Sequence, residues 1–405
     1  MIRPSGKASA CVTYVVSAVL LAQLAACGEE RHKESPSATP GVVVIGFDGL
    51  DPALTERWMA DGKLPHFAKL RSGGHYQRLG STNPPQSPVA WSSFATGLDP
   101  GAHGVFDFLA RAESGYAPEL SIAKITPPKS ELKAFGYKLP LSDATIVNSR
   151  LGSTVWAQYE QIGLPASVLR VPVTFPPEPI KRMLSGMGVP DLLGTQGTYT
   201  LFTTESRKVG AAGQSEGRVV QIAPQPTGEF FTRIEGPSNP IRQAEVPLHV
   251  DLKISSTPRG ASLAVGDKAI EIPIGSWSDW VELDFDFPPF QSIRGVVKFH
   301  LSKGFPNVRL YMTPIQVDPK KPALPISSPP DYAAKLAGRI GRYHTLGMAE
   351  ETWSLNEGHL SDDAYLDMVA DIYGQRERML FDTLGQRDSA LVVMVFVQPD
   401  RVSHM

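Results

Sequence analysis

The stretch GVVVIGFDG, residues 41–49, decides the fold class of this 405-residue chain. Its continuous apolar run is typical of a β-strand that is buried on both faces of a parallel sheet. The strand ends at Asp48, and open α/β sheets bind their ligands at the carboxyl ends of their strands. We therefore predict an α/β protein in which Asp48 lies at the ligand-binding edge.

A serine on a proline-rich turn follows in NPPQSPVAW, residues 83–91. Proline suits the first turn of a helix, so Ser87-Pro88 predicts a helix over residues 89–95 with Ser87 at its N-terminus. Backbone N–H groups at that position favour an anion. A hydroxyl beside a strand-end acid can share a metal ion with it, and a metal-bound hydroxyl is deprotonated easily. Asp48 and Ser87 together predict a site for phosphate-ester chemistry.

A second buried strand, ALVVMVFV at residues 390–397, leads into QPDRVSHM, where the sequence ends. Asp400 and His404 are four residues apart, which places both side chains on one face of a helical turn. Carboxylate and imidazole ligands suit Zn²⁺ or Mn²⁺, and a second ion about 4 Å from the first would assist the leaving group. The two residues therefore predict a second metal position.

Each of these signals also has a simpler explanation. A strand-end acid such as Asp48 is often a turn or cap residue, and Ser87-Pro88 is a normal helix start. Asp400 and His404 are compatible with an ordinary surface pair. The joint occurrence of all four in this order is what favours a catalytic site.

Composition excludes several classes of partner. Charged residues make up 20% of the chain and the formal net charge is -2, so neither a nucleic-acid-binding surface nor an acidic tail is indicated. The length suffices for a large core and more than one structural unit. An anionic substrate would have to be held by a local site.

The N-terminus has the pattern of a secretory signal peptide. A short basic region and an apolar stretch over residues 8–24 precede LAAC, residues 24–27. This ending resembles a bacterial lipoprotein lipobox, which implies cleavage before Cys27, lipidation of that residue and export to the bacterial cell envelope, in the periplasm or on the cell surface. An ordinary secretory peptide or a short membrane anchor is the alternative. We expect a signal peptide over 1–26, a polar tether over 27–40, and membrane contact through the lipid alone.

The rest of the chain divides into three predicted segments. Residues 41–210 and 321–405 show α/β patterns, including a predicted helix over 52–70 and a long amphipathic helix over 364–384. Residues 211–320 read as a β-rich insertion, since VELDFDF at 281–287 alternates as a half-exposed antiparallel strand does. The glycine-rich turn at 185–191 does not fit a dinucleotide fingerprint.

These motifs give the chain a family resemblance. It resembles the alkaline phosphatase superfamily, in particular the type I phosphodiesterase/nucleotide pyrophosphatase branch of phosphohydrolases or phosphomutases. The resemblance covers nearly all of the α/β part and the β-rich insertion only loosely. The matching segments are VIGFDG (44–49), SPVAWSS (87–93), TG (96–97), PGAHG (100–104), VPVTFPP (171–177) and DRVSH (400–404).

The resemblance implies a mostly parallel sheet flanked by helices, with the β-rich antiparallel insertion beside it. It implies two divalent ions, with zinc as the first choice and manganese as the alternative. One ion is held by Asp48 and Ser87, where Ser87 is also the nucleophile, and the other is held by Asp400 and His404. A small phosphate mono- or diester would be hydrolysed through a phosphoserine intermediate. His103 matches a structural histidine.

Three departures from the family pattern matter. Ala90 stands where many relatives have an asparagine that binds phosphate oxygen, so the phosphate clamp is unassigned. Ser87 is not followed by the sulfatase pattern, which argues against sulfate esters. The sequence ends one residue after His404, before the Asp-His pair and further histidine of the family. We therefore expect a C-terminally truncated fragment that is itself inactive, or a natural short protein with a crippled site.

Two other functions remain open at this stage. A non-catalytic surface lipoprotein would bind glycan or a protein partner through the β-rich insertion. A phosphomutase would use the same residues and differ only in where the phosphoryl group goes. Export argues mildly against the mutase, since most phosphosugar pools are cytoplasmic.

Overall fold

A computed structural model describes residues 41–112, 115–205, 217–223, 226–289 and 291–405. The predicted signal peptide and tether, including Cys27, lie outside the described residues. Within those ranges, no helix has both the length and the apolar character that a membrane span requires.

A five-stranded sheet forms the centre of the α/β part. Its strand order is β1-β23-β8-β9-β22, in which the first four strands run parallel and the last pairs antiparallel. This confirms the predicted fold class of a mostly parallel sheet. The strands are β1 (Val42–Phe47), β8 (Ala166–Leu169), β9 (Arg182–Leu184), β22 (Ser327–Ser328) and β23 (Leu391–Phe396).

Helices cover both faces of this sheet. On one face, Ala95 of α3 and Trp156 of α5 pack with Val168 and Val393. On the other face, α6 and α8 pack against strand residues such as Met394. The helices are α1 (Pro52–Ala60), α2 (Pro65–Gly73), α3 (Ser87–Thr96), α4 (Pro100–His103), α5 (Val155–Gln161), α6 (Tyr332–Ile340), α7 (Trp353–Asn356), α8 (Asp362–Gln386) and α9 (Gln398–Ser403).

Strand β1 differs from the prediction. It was expected to be buried on both faces, but it is the edge strand of the sheet and pairs only with β23 among the described residues. Val43 and Ile45 are 42% and 46% exposed as a result. An apolar run indicates that a segment is buried, but it does not indicate whether a strand lies on one side of that segment or on both.

The predicted helix over 52–70 is two helices. Asp51 caps α1 by accepting from the N–H of Leu54, and the chain leaves that helix at Gly62, whose φ is +73°. Pro65 then occupies the first turn of α2, where its missing N–H costs nothing. Apolar residues keep the same helical spacing across both helices, so the sequence pattern does not reveal the break between them.

Antiparallel sheets make up the β-rich part. Their strand orders are β11-β10-β20-β19-β16, β12-β13-β14-β15 and β17-β18-β21, and they share one hydrophobic core that includes Phe230, Leu263 and Phe285. The alternation predicted for 281–287 is present, because Val281, Leu283, Phe285 and Phe287 are all buried. The predicted boundary at residue 210 falls outside the described residues.

The bounds of these strands complete the fold. The larger sheets contain β10 (Thr200–Thr203), β11 (Arg218–Gln221), β12 (Glu229–Ser238), β13 (Pro247–Thr257), β14 (Gly260–Val265), β15 (Lys268–Pro273), β16 (Ser276–Trp277), β17 (Val281–Phe287), β18 (Gln291–Val297), β19 (Phe299–Lys303), β20 (Arg309–Met312) and β21 (Gln316–Val317). Three two-stranded sheets pair β2 (Leu109–Arg111) with β3 (Pro118–Leu120), β4 (Ala123–Thr126) with β7 (Thr145–Asn148), and β5 (Glu131–Ala134) with β6 (Tyr137–Pro140).

Candidate functional site

Asp48 lies one residue beyond β1, at the carboxyl edge of the central sheet. Its backbone N–H donates to the carbonyl of Phe396 at 2.9 Å and so continues the pairing with β23. The side chain is buried, and its Oδ1 accepts a 2.9 Å hydrogen bond from the indole N–H of Trp91. Among the described residues, the buried Oδ2 has no partner at full hydrogen-bond distance, although the Ser87 side chain is near enough to lower the pKa of this carboxyl group by hydrogen bonding. Asp48 therefore has one buried carboxylate oxygen that can take a ligand.

Ser87 is the first residue of α3, as its proline-rich turn predicted. Gln86 is the N-cap and Pro88 occupies the first turn, so the Ser87 side chain starts from the end of the helix that favours negative charge. Trp91 lies one turn further along the same helix. Its bond to Asp48 ties the serine-bearing helix to the end of β1.

The approach of Trp91 to β1 depends on Gly46. A Cβ atom at this position would lie 2.5 Å from the Trp91 ring, which is closer than real contacts allow. The strand therefore needs a glycine here to let the indole lie across it. Sequence reasoning missed Trp91, although a glycine two residues before the acid was a usable signal of close packing.

The surroundings of Asp48 leave its carboxyl group poorly solvated. Burial raises its pKa, hydrogen bonding from Trp91 lowers it, and the nearby carboxylate of Asp400 raises it again. Ser87 and Arg376 act on the same group in the direction of a lower pKa, but the net effect is an increase. Two carboxylates that disfavour each other's charge are the arrangement that a bound cation would stabilise.

Asp400 and His404 come from α9, directly after β23. The His404 Nε2 atom lies 3.4 Å from Oδ1 of Asp400, so the two side chains share one face of the turn as predicted. Asp400 is mostly buried, whereas His404 is largely exposed. Gly49 brings this turn close to Asp48: a Cβ atom there would lie 2.6 Å from the Cα atom of Asp400, and its φ is +65°.

Divalent ions would meet suitable donor atoms at these positions. The free Oδ2 of Asp48, the Ser87 hydroxyl, Asp400 and His404 offer the oxygen and nitrogen donors that Zn²⁺ or Mn²⁺ takes. Within the described part of the chain, His, Cys, Asp and Glu do not form a cluster of three or more that could hold a metal ion. The donors therefore form only incomplete ligand sets for the two metal positions that the sequence predicts.

Comparison with known proteins found a family for part of the chain. Residues 42–212 match the family model of type I phosphodiesterase / nucleotide pyrophosphatase. This family is part of the alkaline phosphatase superfamily and its members are phosphoester hydrolases, which confirms the resemblance found in the motifs. The match contains Asp48 and Ser87, whereas Asp400 and His404 lie beyond it. No curated protein and no solved structure gave a significant match.

Two further hydroxyl groups on α3, those of Ser92 and Thr96, are used in hydrogen bonds within the helix rather than in the site. Ser92 is fully buried and donates to the carbonyl of Pro88, and Thr96 donates to the carbonyl of Ser92. His103 is also fully buried; its Nδ1 accepts from the N–H of Val105, so Nε2 carries the proton and faces the Ser93 hydroxyl at 3.0 Å. These contacts assign His103 a structural role.

A buried charge network lies behind the site and was not predicted. Oε1 of the fully buried Glu350 accepts from Gln398 Nε2 at 2.5 Å and lies 3.7 Å from a guanidinium nitrogen of Arg376. Arg376 also donates to the carbonyl of Val395 and is near enough to Asp48 to lower its pKa. The positive charge of Arg376 therefore acts on both the Glu350 carboxylate and the Asp48 carboxylate.

The same network fixes the orientation of α9. Arg401 donates to the backbone carbonyl of Glu350 at 2.8 Å and to Thr352 at 3.1 Å, and its own carbonyl accepts from the Tyr365 hydroxyl. Gln398 is held by Glu350, as described above. Asp400 lies between Gln398 and Arg401 in the sequence, so the contacts of these two residues fix its position.

Proposed function

We propose that this protein is a metal-dependent hydrolase of phosphate mono- or diesters that works through a phosphoserine intermediate on Ser87. The observation that carries the proposal is the buried Asp48 carboxylate, which has a free Oδ2 and lies between the serine-bearing helix and the turn that contains Asp400. The family match supports the phosphoester class of the reaction. The metal requirement and the covalent intermediate belong to the proposal.

The chain's own residues would bind and orient the substrate. The first turn of α3 places the positive end of the helix dipole beside Ser87, which favours the phosphate group at the nucleophile. Its backbone adds little to this, because Pro88 has no N–H and the N–H groups of Val89 and Ala90 donate to the Gln86 carbonyl. Trp91 fixes the Asp48 carboxylate by its hydrogen bond, and Gly49 allows Asp400 to approach. Ala90 adds no polar group to this first turn.

Two divalent ions fit these donors, one held by Asp48 and Ser87 and the other by Asp400 and His404. When bound, they lower the pKa of the serine hydroxyl and neutralise charge that develops on the phosphate oxygens.

The reaction would take place in two displacements at phosphorus. In the first, Ser87 Oγ forms a bond to phosphorus while the bond to the ester oxygen breaks; the serine proton is lost and the departing alcohol gains one. In the second, water forms a bond to phosphorus and the Ser87 Oγ–phosphorus bond breaks. The net reaction adds one water molecule to one ester.

Hydrolysis of p-nitrophenyl phosphate and bis(p-nitrophenyl) phosphate by the full-length protein tests the proposal, measured with added Zn²⁺ or Mn²⁺ and after chelation. We expect turnover that chelation abolishes. Ser87→Ala should abolish it while metal content, measured by mass spectrometry, is retained. Asp48→Asn should lower both turnover and metal content.

Ser403→Ala is the matched control, because Ser403 is an exposed serine near the site whose hydroxyl donates to the Pro399 carbonyl. It should leave turnover unchanged. Retained turnover in Ser87→Ala would refute the nucleophile assignment. A wild-type protein that is metal-free and inert would favour a non-catalytic binding function.

Export and lipidation are a separate part of the proposal. They rest on the basic and apolar pattern before Cys27 and on the LAAC sequence, which lie outside the described residues. We propose that the protein is attached to the bacterial cell envelope by lipid on Cys27. Cys27→Ala should block incorporation of radiolabelled palmitate and shift the protein from the membrane to another fraction, whereas unchanged labelling would contradict the proposal.

A further inference from the structure

The β-hairpin formed by β5 and β6 has an apolar face that the described part of the chain leaves largely uncovered. In the strand register, Leu132 lies opposite Leu139 and Ala134 lies opposite Tyr137, so these four side chains share one face. Leu132 and Leu139 are 58% and 54% exposed. A two-stranded hairpin normally needs a further layer of structure against such a face, so a partner outside this part of the chain is indicated.

The tip of this hairpin is a strained turn that carries an aromatic side chain. Phe135 and Gly136 both have positive φ, at +51° and +78°, as a two-residue type I′ turn requires. Asparagine or aspartate is the usual residue before the glycine, because a bulky side chain is strained at positive φ. The Phe135 side chain is 99% exposed and therefore contributes no packing to the fold. The turn thus points to a contact outside the chain.

The loop between β12 and β13 holds the hairpin in place. The backbone N–H of Gln243 donates to the carbonyl of Gly136 at 3.0 Å, and its side-chain amide donates to the carbonyl of Tyr137 at 2.8 Å. The Arg242 guanidinium group lies 4.1 Å from the centre of the Tyr137 ring. These contacts fix the turn and place a positive charge beside its apolar face.

The charges of the hairpin are mostly positive, although the formal net charge of the whole chain is -2. Residues 129–141 contain three lysines and one carboxylate, that of Glu131. Lys133 and Lys138 lie directly opposite each other, and like charges in that position repel. Glu131 contacts Lys133 at 3.1 Å, whereas Lys138 makes no ion pair among the described residues. An anionic partner would relieve this repulsion.

We propose that the tip of this hairpin inserts into the surface of a lipid bilayer that carries anionic headgroups. Phe135 would enter the apolar layer, and Tyr137 would lie at the level of the headgroups, where amphipathic aromatic rings are favoured. The long apolar stems of Lys133 and Lys138 let their ammonium groups reach the lipid phosphates. A second copy of this chain fits less well, because two such hairpins would bring their lysines together. The inference depends neither on phosphoester hydrolysis nor on a lipid at Cys27.

An environment-sensitive fluorophore at the tip tests the inference in the full-length chain. Cys11 and Cys27 are replaced by serine, and a nitrobenzoxadiazole label is attached to the Phe135→Cys variant. Vesicles of phosphatidylcholine and phosphatidylglycerol should shift the emission to the blue and raise its intensity, whereas vesicles of phosphatidylcholine alone should change it little. Lys133→Gln and Lys138→Gln should each lower the ratio of inserted to water-exposed label roughly fivefold, the factor for one lysine at an anionic surface.

The same label on the Phe231→Cys variant is the matched control. Phe231 is also an exposed phenylalanine beside a lysine, since its ring centre lies 5.4 Å from Lys253 Nζ, but it lies within β12 and that lysine is paired with Glu229. Its emission should not change with either kind of vesicle. Both labelled proteins should unfold at the same urea concentration as the unlabelled chain, because both substituted side chains are exposed.

Three results would overturn the inference. The first is an unchanged signal at residue 135 on anionic vesicles, and the second is an equal response at residues 135 and 231 or on the two kinds of vesicle. The third is a blue shift at residue 135 that grows with protein concentration in the absence of lipid, which would identify a second copy of the chain as the partner.

Discussion

At the residue scale, the site depends on two contacts that bring distant segments together. Trp91 reaches Asp48 across 43 positions of sequence, and Gly49 lets the backbone at Asp400 approach. The motifs predicted the positions of Asp48 and Ser87, because strand ends and helix starts leave local signals. They could not predict Trp91 as the partner of Asp48, since that contact is long-range and follows from packing across the sheet.

Gly49→Ala should lose more stability than Gly62→Ala. Both glycines have positive φ, at +65° and +73°, so both substitutions carry the left-handed backbone cost of roughly 1–2 kcal/mol. Only Gly49 adds a clash, because the new Cβ would lie 2.6 Å from Asp400 Cα, whereas the space around Gly62 is open. Urea unfolding of the two variants measures the difference. Equal losses would show that Asp400 does not press against Gly49.

Trp91→Phe should destabilise the fold by about 1–3 kcal/mol, because an aromatic ring remains, although a smaller one, but a buried carboxylate oxygen loses its donor. The free energy of unfolding from urea titration measures this loss. Trp353→Phe is the control, since Trp353 is 48% exposed and should change stability little. If the two substitutions cost the same, the Trp91–Asp48 hydrogen bond does not contribute.

At the element scale, the sequence predicted which segments form strands and helices better than it predicted their neighbours. Strands β1 and β23 and helix α3 appear where apolar runs and proline placed them. The edge position of β1 could not be foreseen, because sheet order depends on how distant strands pair. Arg376 and Glu350 were also missed, since buried charges interrupt the apolar periodicity that identifies a core face.

Glu350→Gln should destabilise the protein by about 3–5 kcal/mol, because it leaves the buried Arg376 cation without its counter-charge. Adding Arg376→Met should recover part of this loss, since the unpaired charge is then removed. Glu377→Gln, an exposed change of the same chemistry on α8, is the control. Denaturant unfolding of the single and double variants measures the interaction energy between Glu350 and Arg376. If the losses in unfolding free energy simply add, the two residues do not interact.

The ion pairs between Asp388 and the start of β9 should make stability depend on pH. Hydrogen bonding from Arg182, together with Lys181, lowers the pKa of Asp388 to about 2. The unfolded value is about 3.9, so these pairs stabilise the fold above about pH 4 and lose their effect as the pH falls toward 2.

Asp388→Asn should therefore be less stable than the wild type at pH 7 and nearly equal to it near pH 2. Unfolding free energies at both pH values measure this, with the exposed Asp143→Asn as the control. A stability deficit of the same size at both pH values would rule out the ion pairs as its cause.

At the scale of the whole molecule, the chain joins a mostly parallel sheet that carries the proposed phosphoester site to antiparallel sheets with their own core. Alternating residues such as those of 281–287 predicted the antiparallel character correctly. A cavity lined by Trp277, Lys298, His344 and Asp371 could not be predicted, because its lining comes from four segments that only the packed structure brings together.

The central claim is that Ser87 becomes phosphorylated during turnover. Its most direct test is an acid quench of the metal-supplemented protein during hydrolysis of bis(p-nitrophenyl) phosphate, followed by peptide mass spectrometry. The account predicts a phosphoryl group, with or without its remaining ester, on Ser87 and none on the Ser87→Ala protein. Steady turnover with an unmodified Ser87, or with the modification on another residue, would contradict it.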